Sequence, residues 1–268
     1  MKRYKVAIVG SGALASVIAQ ALSKELSKEY ELLGVFSGRL ENALKFGEKF
    51  NCKAYKNLDE IIEGNPDYVI EAASPDVIKD IGIKILQNGI NLIPLSVGAF
   101  ADKEFYKKVE QAAIDNNSRV HLPSGAVGGF DVLRASMLME DVEVSIVTEK
   151  SPESLNGAPF LNGRLLSEDK VEEVFSGAAK QAIELFPKNV NVAVATALAT
   201  TGVDNTLTVI RSIPKMSSNK HEIQLTGDTI KVTVVIESSP SVNNPKSSTL
   251  AAYSVIALLK NLVSPIVF

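Results

Sequence analysis

A chain of 268 residues, 46% of them hydrophobic, can form one large or two medium-sized domains, and its net charge of −3 without a basic stripe argues against nucleic acid as a partner. The single cysteine, Cys52, excludes an intramolecular disulfide and a cysteine metal cluster, and no other ligand cluster predicts a metal site. Without a signal peptide or an apolar run approaching about 18 residues, we expect a cytoplasmic enzyme that binds no membrane.

The first predicted element is a strand at residues 5–9, which runs into a glycine-rich turn and a helix. Gly10 permits the tight turn, Gly12 lets the backbone approach a pyrophosphate, and Ala15 keeps the helix close to the strand. The helix N-terminus offers N–H groups and a partial positive charge to phosphates. The alternative is a glycine turn in an unrelated α/β protein. The predicted cofactor-binding residues here are Gly10, Ser11, Gly12, Ala13 and Leu14.

The end of the second strand, residues 31–36, bears on the choice of cofactor. Sites that prefer NAD usually place Asp or Glu there to bind the ribose 2′-hydroxyl, whereas this chain has Ser37 and, two residues on, Arg39. A hydroxyl and a guanidinium suit a 2′-phosphate, because arginine offers planar, charge-assisted donors. The pattern favours NADP, or use of both NADP and NAD. A solvated Arg39 at the start of the next helix is the alternative.

Strands and helices alternate through the first 122 residues. This alternation requires a parallel sheet with right-handed crossovers. The predicted helices are 13–26, 41–50, 58–63, 75–88 and 101–116, and the later strands are 67–71, 91–95 and 119–122.

Small residues follow three successive strand ends, in the segments 71–74, 95–99 and 123–126. Ligands of such sheets bind at the carboxyl ends of the strands, and small residues let a flat ring approach the backbone. Tight strand-to-helix turns are the alternative for each segment taken singly. The predicted cofactor contacts are Ala73, Ser74, Ser96 and Gly98.

The pattern changes after Gly125. Apolar and polar residues alternate in four predicted strands, which indicates a sheet with one solvated face. These strands are 142–148, 206–211, 222–226 and 231–237, with an apolar helix at 190–200 before the second. A last helix, 244–263, is capped by Asn244, has Pro245 at its first position, and carries apolar residues suited to docking on the first domain.

We therefore predict an α/β protein with two domains. Residues 1–122 plus 243–268 form a Rossmann dinucleotide-binding domain, and residues 123–242 form an α+β domain with a mixed sheet for substrate binding and dimerisation.

Two histidines are available for chemistry. His221 follows the polar loop 215–220, where an imidazole can act as acid or base near neutral pH, although an ordinary surface residue is the alternative. For His121, at the end of a strand in the first domain, we expect a structural role.

Two asparagine-lysine segments, 187–191 and 243–249, also stand out, and the second pairs a helix N-terminus with a lysine and hydroxyls, which suits a carboxylate or phosphate. Plain helix capping is the alternative.

Four motifs occur in an order that resembles the L-aspartate dehydrogenase family. They are PSGAVGG at 123–129, FPKNVNVA at 186–193, HEI at 221–223 and NPKSS at 244–248, so the resemblance spans nearly the whole chain. It implies that His221 is the active-site residue, that the Ala126 amide and Asn191 contact the nicotinamide cofactor, and that the protein is a homodimer. One departure is Ser37, because many members carry an acid there.

The resemblance also implies the reaction. L-Aspartate would be oxidatively deaminated to iminoaspartate and then to oxaloacetate plus ammonia, or formed by the reverse amination, and an alternative fate of the imine is NAD biosynthesis. His221 would polarise the intermediate and activate water. The candidate substrate-binding residues are Lys188, Asn219, Asn244, Lys246 and Ser247.

Two alternatives remain, and only the second belongs to another functional class. One is a related two-domain oxidoreductase acting on another small amino or keto acid. The other is a regulator that binds NADP(H) without catalysis, against which His221 and both asparagine-lysine segments count.

Overall fold

The structure is a computed structural model that describes residues 3–187, 190–241 and 244–267; at 240, 241 and 244–247 only the backbone is described. Contacts divide the chain into two compact units. The first consists of Met1–Pro123 and Ala251–Phe268, and the second of Ser124–Leu250. The sequence placed the return to the first domain at residue 243, eight residues before the border between the units.

A five-stranded parallel sheet forms the centre of the first unit, with strand order β3-β2-β1-β4-β5, which confirms the predicted Rossmann-like sheet. The chain moves outwards from β1 on one side and returns on its other side, so the strand order reverses between β1 and β4. Ligands of such sheets bind at this point of reversal, beyond the carboxyl ends of the strands. The elements are β1 (Tyr4–Val9), α1 (Ala13–Ser23), β2 (Tyr30–Phe36), α2 (Leu40–Phe50), β3 (Lys53–Tyr55), α3 (Leu58–Glu63), β4 (Tyr68–Glu71), α4 (Pro75–Gln87), β5 (Asn91–Pro94) and α5 (Lys103–Asp115).

Three details of this unit differ from the predictions. Strand β3 was not predicted, and the predicted strand 119–122 is reduced to a single bridge between Val120 and Leu92. A 3₁₀ helix, Val97–Ala101, precedes α5, which therefore starts later than predicted. The side chain of Asp102 fixes that start, because it accepts the N–H groups of Glu104 and Phe105.

The second unit contains a five-stranded mixed sheet with strand order β10-β9-β6-β8-β7. Strands β6 and β8 are parallel and the other pairs are antiparallel, as the predicted mixed sheet requires. Strand β7 and helix α6 were not predicted. The elements are α6 (Phe130–Met137), β6 (Glu143–Lys150), α7 (Pro152–Leu155), β7 (Glu172–Ala178), α8 (Ala179–Leu185), α9 (Asn191–Ala199), β8 (Leu207–Ser212), β9 (Asn219–Thr226), β10 (Lys231–Ser238), β11 (Pro240–Ser241) and β12 (Asn244–Ser248).

The predicted start of the last helix is wrong. Residues 244–248 form strand β12, which pairs antiparallel with β11, and helix α10 comprises Leu250–Val263. The Ser248 hydroxyl accepts the Leu250 N–H at 3.1 Å, so Ser248 and not Asn244 marks the helix start. A serine is as good a cap as an asparagine, and only the pairing of β12 distinguishes them.

Helix α10 completes the core of the first unit. Val255 and Leu259 belong to the same buried cluster as Ile18 and Leu22 of α1. The hydroxyl of the buried Tyr30 donates to the Leu259 carbonyl at 2.8 Å. The apolar residues of this segment therefore dock on the first unit, as predicted. None of the helices in the described ranges has the length and apolar character needed to cross a membrane.

The glycine turn yields a stability prediction. Gly10 has φ +109°, and a Cβ there would overlap the Ala72 carbonyl oxygen, whereas a Cβ at Gly12 would meet no atom within 4 Å. Gly10→Ala should therefore lower the free energy of unfolding by about 2 kcal/mol or more, because strain and overlap combine. Gly12→Ala, the matched control, should cost less than about 1 kcal/mol. Urea denaturation measures both, and equal losses would contradict this explanation of the turn.

Candidate active site

The glycine turn is fixed between the ends of two neighbouring strands. The Gly10 N–H donates to the Phe36 carbonyl of β2, and the Ala72 N–H donates to the Val9 carbonyl of β1, both at 2.8 Å. Helix α1 begins at Ala13 with Gly12 as its N-cap, and no side chain caps it. The open space at Gly12 and this uncapped helix end fit a pyrophosphate, which Gly10, Ser11, Gly12, Ala13 and Leu14 would hold.

Ser11 and Ser37 are brought together, because their hydroxyl oxygens lie 2.9 Å apart. This contact joins the glycine turn to the end of β2, where a ribose 2′-group is recognised in such folds. Arg39 is the N-cap residue of α2 and is exposed. Its guanidinium has no hydrogen bond or ion pair to the described part of the chain, so it is available to a ligand.

Glu71, at the end of β4, is a residue that the sequence analysis missed as a functional group. It is fully buried, and its carboxylate accepts the Ala73 N–H at 2.6 Å, the Ser96 N–H at 3.0 Å and the Ser96 hydroxyl at 2.8 Å. Burial raises the pKa of this carboxyl, and the hydrogen bonds from Ala73 and Ser96 oppose that rise. Glu71 thus holds two of the predicted cofactor-contact segments in place. The sequence did contain a signal for Glu71, because a carboxylate ends an apolar strand there and small residues follow it.

Four predicted contacts lie around these strand ends. The Ser74 hydroxyl accepts the Val77 N–H and caps α4, and the Ser96 hydroxyl is bonded to Glu71. Gly98 is buried in the 3₁₀ helix, and Ala73 lies two residues beyond the end of β4. Two of the predicted side chains therefore have structural partners, and the cofactor contacts themselves stay predictions.

In the second unit, His221 is buried in strand β9 with 3% of its surface exposed, which excludes the alternative of an ordinary surface residue. Its Nδ1 lies 3.1 Å from the Thr148 hydroxyl, directly opposite on β6. Burial, and then the charge of Lys150, lower the pKa of His221 to about 3. The imidazole is therefore neutral at physiological pH and can accept a proton.

Lys150 is the second residue that the sequence analysis missed. It ends β6 on the same face as Thr148, is 4% exposed, and burial lowers the pKa of its ammonium to about 8. The alternation Val144, Ile146, Thr148 indicates the buried face, and continuing it by one step past the predicted strand end reaches Lys150. A lysine in a buried position of an alternating strand was therefore a readable signal.

Further buried polar residues lie on the same face of the sheet. Asn219 precedes His221 by two residues on β9 and is 2% exposed, while Ser212 on β8 lies opposite Lys150. We call this group the buried polar cluster; its members are Thr148, Lys150, Ser212, Asn219 and His221. The structure thus brings together two of the residues predicted from the sequence, Asn219 and His221.

The remaining candidates are placed as follows. Ala126 is buried in the turn after Ser124, and Asn191 is the first residue of α9. Asn244, Lys246 and Ser247 lie in β12, where only the backbone is described. Because β12 is a strand, the predicted helix N-terminus does not exist at these three residues. Lys188 lies outside the described residues.

Comparisons with known proteins agree with this architecture. A family model described as "Aspartate dehydrogenase, C-terminal" matches residues 131–262, and one described as "Homoserine dehydrogenase, NAD binding domain" matches residues 10–123. The first unit is accordingly a domain that binds a nicotinamide cofactor.

Curated relatives match over nearly the full chain. The L-aspartate dehydrogenase of Methanococcus maripaludis is 36% identical over 98% of both chains, and that of Nitrosopumilus maritimus is 35% identical over 98% of this chain and 97% of its own. The crystal structure of aspartate dehydrogenase from Thermotoga maritima covers all of both chains with a TM-score of 0.77 and 28% identity. The resemblance inferred from the four motifs is thereby confirmed, and the chain belongs to the L-aspartate dehydrogenase family.

Proposed function

We propose that this protein is an NAD(P)-dependent L-aspartate dehydrogenase. It interconverts L-aspartate with iminoaspartate, which is hydrolysed to oxaloacetate and ammonia. The observation that carries the proposal is His221, buried and bonded to Thr148 beside a buried lysine, in a chain of this family.

The bound nicotinamide nucleotide supplies a hydride acceptor for the α-carbon of aspartate. The glycine turn binds the pyrophosphate through backbone N–H groups, and Glu71 fixes the segments at Ala73 and Ser96 that shape the cofactor pocket. The Ala126 amide and Asn191 contact the nicotinamide, as the family resemblance implies. Hydride transfer requires the substrate α-carbon about 3–3.5 Å from the acceptor ring, and these residues would hold the cofactor in place for it.

His221 handles the protons. Its hydrogen bond to Thr148 fixes the plane of the imidazole, and its lowered pKa keeps it in the basic form. The neutral ring accepts a proton from the water that attacks the imine and returns it to the departing nitrogen. The candidate contacts to the rest of the substrate are Asn219, Asn244, Lys246, Ser247 and Lys188.

We propose NADP as the favoured cofactor, with NAD also accepted. The support is the absence of a carboxylate at Ser37 and an exposed guanidinium at Arg39, which suits a 2′-phosphate. We further propose a cytoplasmic homodimer and a supply of iminoaspartate to NAD biosynthesis. The homodimer and the supply of iminoaspartate rest on the family resemblance.

Absorbance at 340 nm tests the reaction. We expect turnover with L-aspartate and NADP, and with oxaloacetate, ammonia and NADPH, with slower rates for NAD and NADH. Turnover of another small amino or keto acid but not aspartate would favour a related oxidoreductase. Tight NADPH binding without turnover of any substrate would favour a regulator.

His221→Ala should lower the turnover number by about 100-fold or more, the scale of general acid–base catalysis, while the affinity for NADPH persists. Steady-state kinetics and NADPH fluorescence measure the two effects. His121→Ala, which removes the other histidine, is the matched control and should change turnover by less than a few-fold. An unaltered rate in His221→Ala would remove this residue from the mechanism.

Arg39→Ala should raise the Kd of NADP about tenfold or more, because a charge-assisted bond to the 2′-phosphate is lost, and leave the Kd of NAD nearly unchanged. Lys49→Ala, on the exposed side of the same helix, is the control for a general loss of positive charge. Isothermal titration calorimetry gives both constants. Equal losses for the two nucleotides would refute a 2′-phosphate contact.

A further inference from the structure

Lys150 is a buried cation for which the described part of the chain supplies no counter-charge. Its side chain is 4% exposed, and no described carboxylate or carbonyl lies within hydrogen-bond or ion-pair distance of its ammonium. Burial is the sole cause of its lowered pKa, which agrees with the lack of a nearby anion. Burial of an ammonium without a partner is strongly unfavourable, and an anion beside Lys150 would offset that cost.

A second unsatisfied donor lies beside it. Ser212 is directly opposite Lys150 in the parallel pairing of β6 and β8, and its buried hydroxyl has no hydrogen-bond partner among the described residues. Buried polar atoms are nearly always bonded, so two such groups in neighbouring positions indicate a place for a ligand. A cation and a hydroxyl donor together select an anion, and a carboxylate accepts from both.

We propose that Lys150 and Ser212 bind a carboxylate of the substrate and thereby hold it beside His221. This inference rests on the proposed aspartate dehydrogenase activity and deepens it, because it assigns a carboxylate site that the sequence had placed at Lys188 and Lys246. Thr148 connects the proposed carboxylate site to His221, since it precedes Lys150 by two residues on β6 and contacts the imidazole.

The arrangement couples substrate binding to His221. Lys150 is the charge that faces the imidazole from β6. On β10 the register partner of His221 is the apolar Ile236. Helix α9, which packs against β6, has no charged residue. The ion pairs of Lys220 with Glu149 and with Glu222 lie on the opposite face of the sheet. A carboxylate on Lys150 would offset the positive field and raise the pKa of His221 towards its ordinary range.

The test is Lys150→Met, which keeps an unbranched side chain one atom shorter and removes the charge. We expect KM for L-aspartate and for oxaloacetate to rise about 10- to 100-fold, the loss of a charged hydrogen bond, with the Kd of NADPH unchanged. Lys231→Met, at an exposed position of β10, is the matched control and should leave both KM values unchanged. Unchanged KM values in a folded Lys150→Met enzyme would overturn the proposal.

Two readouts do not depend on turnover. Calorimetry with succinate, an unreactive dicarboxylate, should show equal binding to the wild type and to Lys231→Met. The affinity for succinate should fall at least tenfold in Lys150→Met and by a smaller factor in Ser212→Ala. NMR of the two histidines, with His221 assigned through His121→Ala, should show the pKa of His221 raised by succinate in the wild type. In Lys150→Met the pKa of His221 should be raised even without succinate. If the pKa shifts in neither experiment, the coupling is contradicted.

Folding of the variant is also predictable. The lowered pKa of Lys150 means that the unfolded chain binds more protons between pH 8 and the ordinary lysine pKa, so the burial cost is fully present below pH 8 and disappears above that range. Lys150→Met should therefore melt at or above the wild-type temperature at pH 7. If it fails to fold, wild-type succinate affinity that does not fall as pH rises through about 8 would still overturn the proposal.

The results separate this inference from the proposed function. Aspartate turnover with KM unaffected by Lys150→Met refutes the carboxylate site and keeps the activity. Succinate binding that depends on Lys150, without turnover of aspartate, supports the site and refutes the activity.

Discussion

The pairing register between β6 and β9 is the constraint on which the chemistry of the second unit depends. It sets Thr148 opposite His221 and leaves Lys150 on the same buried face. Side chains alternate strictly along a strand, so a slip of β9 by one residue against β6 would turn His221 outwards, away from Thr148, and bring Lys220 and Glu222 inwards. The apolar residues of the same strands, such as Ile146 and Ile223, hold the register because they have to be buried.

The two units bury opposite charges in different ways. Glu71 in the first unit is surrounded by N–H and O–H donors and connects the segments that follow β4 and β5. Lys150 in the second unit has no such partners in the described chain. A buried charge with a complete set of hydrogen bonds is a structural element, whereas one without them is a cost that a ligand can relieve. This contrast is the reason for assigning Glu71 to positioning and Lys150 to substrate binding.

The glycine turn shows a similar division between neighbouring positions. Gly10 is required by the fold, because the Ala72 carbonyl occupies the place of a Cβ and φ is positive. Neither reason applies to Gly12, because its φ is not positive and the space beside it is open. Packing therefore does not explain the glycine at position 12, and the open space there fits the proposed pyrophosphate site.

Sequence alone determined the parallel sheet, the glycine turn, four strands of the mixed sheet and the family, and it selected His221 as the catalytic candidate, because these depend on local periodicity and on motifs read along the chain. It ended strand β6 at residue 148, placed the last helix start at Asn244, and left the burial of His221 open. Tertiary structure decided these points: β12 pairs with β11, and β6 extends to Lys150 along β8. Pairing between strands distant in sequence fixes which polar side chains are buried together, and no local pattern contains that information.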